Sequence, residues 1–206
     1  MADGSEIFFI GGAPCGGKST AARAICARHG FRAFELDKNL ERYTHLGMLE
    51  GNALLRAAAI AAPQDIDALP PCQQCKQELE IYHQLFPYAL RELRAMGPGA
   101  PILAEGAGFL PELMRRAGVD SRHYICLIPE PAFQRARYRE RPGRMDFCDA
   151  EGPDGGAMHR CIHSIMHLIE DHAHKYKIPM RFAASKLVEG DKLVEEALHL
   201  DQNERE

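Results

Sequence analysis

The sequence predicts an α/β fold: a five-stranded parallel sheet with flanking helices. Three observations predict it. Five short apolar runs alternate with helical patterns along the chain. Several of those runs are apolar at consecutive positions, or rich in β-branched and aromatic residues, as strands buried on both faces are. The chain has 206 residues, 46% of them apolar, which suffices for one full core at roughly 100–200 residues per domain.

The five strands are expected at Glu6–Ile10 (EIFFI), Phe31–Leu36 (FRAFEL), Pro101–Ala104 (PILA), His123–Ile128 (HYICLI) and Met180–Ala184 (MRFAA). Helical spacing appears at Lys18–His29, which is rich in Ala, and at Leu40–Ala62, which contains LLRAAAIAA. It recurs at Lys76–Met96, where Pro87 is a candidate kink, and at Pro131–Arg141, Met158–Lys177 and Asp191–Leu200. About sixty residues separate the second and third strands, far more than a crossover needs. The surplus, residues 38–98, is expected to be a helical insertion on the substrate side of a single domain spanning residues 1–206. The Gly-, Pro- and Asp-rich stretch Arg141–Gly156 reads as a loop.

Composition removes several function classes. The formal charge is −4, from 25 basic and 29 acidic residues, so a general nucleic-acid binder is not expected. No apolar run approaches the roughly 18–20 residues that span a bilayer, so no membrane partner is expected. The start MADGSEIFF lacks the basic segment of a secretory signal, which makes the cytoplasm the expected location. Seven cysteines with no repeated spacing read as reduced thiols, Cys126 among them as a small core residue.

The strongest motif is Gly12-Ala13-Pro14-Cys15-Gly16-Gly17-Lys18-Ser19, which fits G-x-x-x-x-G-K-[ST]. Chance would produce it in on the order of one per cent of chains this long. Its setting, a strand before and a helix after, is the one the motif requires. Glycines let the backbone wrap a phosphate with its N–H groups turned inward, and the helix start adds a positive dipole end. Lys18 is then within reach of the β- and γ-phosphates, and the Ser19 hydroxyl can ligate Mg²⁺. Thr20 completes the candidate nucleotide-binding set.

These residues resemble the P-loop small-molecule kinases, the group that includes nucleoside, shikimate and gluconate kinases and chloramphenicol phosphotransferase. The resemblance covers residues 6–37, 101–109 and 123–144, and leaves residues 38–98 poorly matched. It implies a three-layer P-loop NTPase fold, the use of ATP and Mg²⁺, and phosphoryl transfer to a hydroxyl of a small molecule. Asp37, at the end of the second strand, resembles the acid that contacts the acceptor in many such kinases; otherwise it is a helix N-cap. Glu105-Gly106, at the end of the third, resembles the strand end of uridine-kinase-like and deoxynucleoside-kinase-like proteins. Its acid would position Mg²⁺ or the acceptor, so Glu105 joins Ser19 as a candidate metal ligand. Asp37 and Glu105 compete for the role of base. The Glu105-Gly106 pair makes a nucleoside the first acceptor to consider, followed by a sugar acid, a shikimate-like alcohol or an antibiotic.

Arg135, Arg137, Arg139, Arg141 and Arg144 crowd the segment after the fourth strand, where the resembling kinases carry an arginine lid, here residues 131–156. Arg141-Pro142 resembles the Arg-Pro of shikimate-kinase-type lids. Fixed guanidinium groups stabilise charge on a transferring phosphoryl group, and Arg137, Arg141 and Arg144 are the expected contributors. Tyr43, Arg56, Tyr82, Arg91 and Arg94 are candidates to contact the acceptor. The resemblance also places base recognition near Ala184–Lys186.

No N-K-x-D is present, no apolar run ends in the aspartate of a motor ATPase, and the D-x-x-G at Asp149–Gly152 follows no strand. A kinase is therefore favoured over a switch or motor. Two rivals remain at this level. One is a nucleotide-binding regulatory or assembly module with no acceptor. The other is a metal or redox sensor built on Cys72-x-x-Cys75 and on His159, His163 and His167, which recur every fourth residue. A second copy of the chain, forming a homodimer, is the other candidate partner.

Overall fold

The computed structural model describes residues 6–61, 69–140, 157–183 and 190–200. Five parallel strands form one sheet: β1 (Ile7–Gly12), β2 (Arg32–Glu35), β3 (Ile102–Glu105), β4 (Tyr124–Pro129) and β5 (Met180–Ala183). Their order is β2-β3-β1-β4-β5. The strand before the glycine-rich loop therefore lies at the centre, between β3 and β4. The crevice above the carboxyl ends of these three strands is the place where open parallel sheets bind ligands.

Alternation along each strand builds two cores. Phe9, Phe34, Ile102, Ala104, Tyr124, Cys126 and Ile128 face one side. Phe8, Ile10, Leu103, Ile125 and Leu127 face the other, where α1 (Lys18–His29) and α8 (Gly190–Ala197) cover them. A parallel sheet coated on both faces is what consecutive apolar positions require. Arg28 and His29 at the end of α1 both bind Glu195 of α8, and Arg28 also meets Asp191 at 2.6 Å. The basic end of one helix is thereby tied to acids of the other.

The long connection between β2 and β3 is helical. A 3-10 turn, Leu36–Asn39, leads into α2 (Leu40–Leu49), α3 (Ala53–Ile60) and α4 (Pro71–Ala95). The sequence pattern suggested one helix across Leu40–Ala62. Gly51 breaks it at φ 85°, and the Asn52 side chain then caps α3 by accepting from the Leu55 N–H. Pro87 sits inside α4, which continues through it. A short helix absent from the sequence reading, α5 (Pro111–Arg116), begins with proline at its first position, where a missing N–H costs nothing. The remaining helices are α6 (Pro131–Arg139), directly after β4, and α7 (Ala157–Lys175).

One cysteine corrects the sequence reading. Cys15, Cys26 and Cys126 are free thiols, but Cys75 is disulfide-bonded. The expectation of reduced thiols rested on counting and spacing, neither of which reports the short separation of side chains that allows a bond. The Cys72 side chain lies outside the described residues, as do those of His159 and His163. His167 is exposed and meets Glu170 at 3.2 Å. Among the described residues, no helix is long and apolar enough to cross a membrane.

Candidate active site

The glycine-rich loop leaves the centre of the sheet and feeds α1. Gly12 and Gly17 hold φ of 113° and 83°, conformations that glycine adopts without strain. Gly16 is fixed by contact instead: a Cβ there would lie 2.7 Å from the backbone carbonyl of Leu127 on β4. The same carbonyl accepts from the Ala13 N–H at 3.1 Å, stitching the loop to the neighbouring strand. Cys15 adopts φ 63°, an uncommon value for a residue with a side chain.

Lys18 is buried, and its Nζ donates to the Ala13 carbonyl at 2.8 Å. The ammonium group is thus held inside the loop it follows. Ser19, on the same first turn of α1, lies close enough to the carboxylate of Glu105 to favour its charged form. This meeting follows from strand parity. Glu105 continues the Leu103 side of β3, the side that α1 covers, and it sits level with Ile10 on β1 and Glu35 on β2.

Glu105 is only 2% exposed, and its Oε2 has no partner. Burial raises its pKa above the ordinary carboxylate range; the nearby charges of Asp37 and Glu35 push the same way, against the opposing pull of Ser19 and Lys18. A buried carboxylate oxygen with no donor, beside a serine hydroxyl at a phosphate-type loop, is a hard-oxygen set suited to Mg²⁺. Mg²⁺ ordinarily takes one or two protein ligands and completes its shell with water and substrate phosphates, so no larger cluster is required.

Asp37 does not cap a helix. It lies exposed within the 3-10 turn, and Asn39 occupies the N-cap position of α2. Its Oδ1 would lie 3.3 Å from a Cβ on Gly106, which puts it at the loop that follows Glu105. Tyr82 of α4 borders the same loop, because a Cβ on Gly108 would meet its ring at 2.7 Å. Lys18, Ser19, Glu105, Asp37 and Tyr82 thus gather at the carboxyl edge of β1, β2 and β3.

Other candidates are engaged elsewhere. The Tyr43 hydroxyl donates to Glu92 at 2.7 Å, and Arg42 binds the same carboxylate. Arg91 pairs with Glu50 at 3.8 Å and lies over the Tyr88 ring. These clusters fasten α2 to α4. Arg56 and Arg94 are exposed. Arg137 is held by Glu140 at 2.6 Å and lies over the Phe133 ring of its own helix. Arg141, Arg144 and Ala184–Lys186 lie outside the described residues, as do the Arg135 and Arg139 side chains.

Sequence reasoning missed Gln134. It is fully buried on α6 and donates from Nε2 to the Pro14 carbonyl at 2.9 Å. Its only trace in the sequence is an uncharged polar residue among the arginines of FQRARYR, one turn into the helix.

Sheet order, the loop at the central strand and the helices on both faces define the fold of the P-loop small-molecule kinases. Solved structures with this fold align along nearly the whole chain. A gluconokinase from Sinorhizobium meliloti aligns at 15% identity and TM-score 0.53, over 98% of this chain and 97% of its own. A shikimate kinase from Bacteroides thetaiotaomicron aligns at 15% identity and TM-score 0.50, over 96% and 98%. A Thermus thermophilus protein aligns at 15% identity and TM-score 0.51, over 99% of both chains. No family model matches the sequence, and no curated protein does.

Proposed function

We propose that this protein is a kinase that transfers the γ-phosphoryl group of ATP to a hydroxyl of a small molecule. The observation that carries the reading is the meeting of Lys18, Ser19 and the partly unsatisfied Glu105 carboxylate at the mouth of a glycine loop. The fold shared with a gluconokinase and a shikimate kinase supports it.

In this reading, amides of Gly12–Thr20 and the Lys18 ammonium bind the triphosphate. Ser19 and Glu105 are the residues that would hold Mg²⁺, which when bound offsets charge on the β- and γ-phosphates. Burial divides the work of the two acids. Glu105 is enclosed beside Ser19, whereas Asp37 is exposed and borders the Gly106–Gly108 loop. Asp37 therefore orients the acceptor hydroxyl and takes its proton. The hydroxyl oxygen forms a bond to the γ-phosphorus, the bond from that phosphorus to the β-γ bridging oxygen breaks, and ADP leaves. Arg137, Arg141 and Arg144 are proposed to close over the phosphates from the segment after β4, Arg137 by exchanging Glu140 for phosphate.

The acceptor is proposed to sit beside Tyr82 and the Gly106–Gly108 loop, with nucleosides the first class to test. Sugar acids, shikimate-like alcohols and antibiotics follow. The test is ADP release from Mg-ATP across a panel of these compounds. An acceptor-dependent rise with a phosphorylated product by mass spectrometry is the expected result. Slow ATP hydrolysis that no compound accelerates would favour a nucleotide-binding module instead.

A further inference from the structure

We infer that Gln134 is a positioning residue that sets the nucleotide-binding conformation of the Gly12–Ser19 loop from the start of α6. The inference rests on the reading that this loop binds a nucleotide. Gln134 and Pro14 are 120 positions apart in sequence, yet Nε2 reaches the Pro14 carbonyl at 2.9 Å. The amide orientation follows from chemistry: a carbonyl only accepts, so the nitrogen must face it. The other end, Oε1, is buried with no partner. Leaving a buried carbonyl unpaired is costly, because it has lost water and gained no donor. An apolar side chain of equal length would pack at this 0%-exposed position without that cost. What glutamine adds is the single bond to the loop.

That bond acts on the backbone. No described peptide is cis, and in a trans peptide the carbonyl and the following N–H point to opposite sides. With the Pro14 carbonyl turned to α6, the Cys15 N–H is turned away from it. The preceding carbonyl, of Ala13, is held by Lys18 Nζ and by the Gly16 N–H at 3.3 Å. Proline contributes no N–H of its own. Two consecutive carbonyls are therefore held, that of Ala13 within the loop and that of Pro14 from α6, and the Pro14–Cys15 peptide is fixed despite the uncommon φ of 63° at Cys15. Because Gln134 and Arg137 share α6, the same bond links the loop to the helix that carries Arg137.

The variant Gln134→Met keeps length and removes the donor. Pro14 is partly exposed, so its carbonyl can turn to water. The ligand-free protein should melt within a few degrees of wild type, while Mg-ATP binding by calorimetry weakens about tenfold. Gln134→Glu adds a pH readout. Protonated, it donates to Pro14; ionised, it repels that carbonyl. Its Mg-ATP affinity relative to wild type should rise as pH falls from 8 to 5.5. A merely structural role would not produce that profile, and the pH comparison still decides if Gln134→Met fails to fold. Wild-type heat with both variants binding within twofold of wild type at every pH overturns the role of Gln134 alone. No heat from wild type overturns the nucleotide reading of the loop, and the role of Gln134 with it.

Discussion

The Ser19 side chain lies beside the Glu105 carboxylate, bringing the first turn of α1 to the end of β3. That carboxylate is buried, and its Oε2 has no donor. An acid held in that condition lowers the stability of the protein that contains it.

Replacing Glu105 by Gln should stabilise the ligand-free protein and abolish turnover. The folded-state pKa is raised by burial, so between the ordinary carboxylate value and the raised one the folded protein binds more protons than the unfolded chain. Stability from this group is therefore present at low pH and is lost as pH rises through that interval. Glu105→Gln removes the loss, and Tm near neutral pH should rise by roughly 2–5 °C. Melting curves at several pH values check it. A variant that melts lower than wild type at pH 7 contradicts the desolvation argument.

Lys18→Ala removes the ammonium and its bond to Ala13. Mg-ATP affinity should fall by roughly a hundredfold, as expected for loss of a charged phosphate contact. Titration calorimetry measures this, and unchanged heat would remove Lys18 from the proposed site.

Asp37→Asn should lower kcat by roughly 10²–10⁴-fold with the KM for ATP nearly unchanged, because a base acts on the acceptor proton and not on nucleotide binding. Steady-state kinetics with the acceptor found in the panel decide it. Normal turnover would return the base role to Glu105.

Gly16→Ala drives a methyl group to 2.7 Å from the Leu127 carbonyl, a backbone atom that cannot step aside. A stability loss of about 1–3 kcal/mol is expected, with nucleotide binding weakened too. Urea denaturation measures the first and calorimetry the second. Gly30→Ala provides the contrast, because nothing lies within 4 Å of its Cβ and only its φ of 69° is strained.

Tyr43→Phe should cost about 1 kcal/mol of stability through the lost bond to Glu92, leaving kcat/KM for the acceptor within twofold. Activity loss without stability loss would restore Tyr43 as an acceptor contact.

Much of this protein was legible in one dimension. The strand-loop-helix around Gly12–Ser19, the parallel sheet with helices on both sides and the placement of Asp37 and Glu105 at strand ends follow from periodicity and motif spacing, which are properties of short segments. Tertiary structure alone decided which acid is enclosed and which is exposed, because desolvation depends on the elements that close over a group. It also decided that Tyr43 and Arg91 serve helix packing, that Cys75 is oxidised, and that Gln134 meets a loop 120 positions away. Those outcomes depend on distances between segments remote in sequence, and no local pattern encodes a distance that only folding creates.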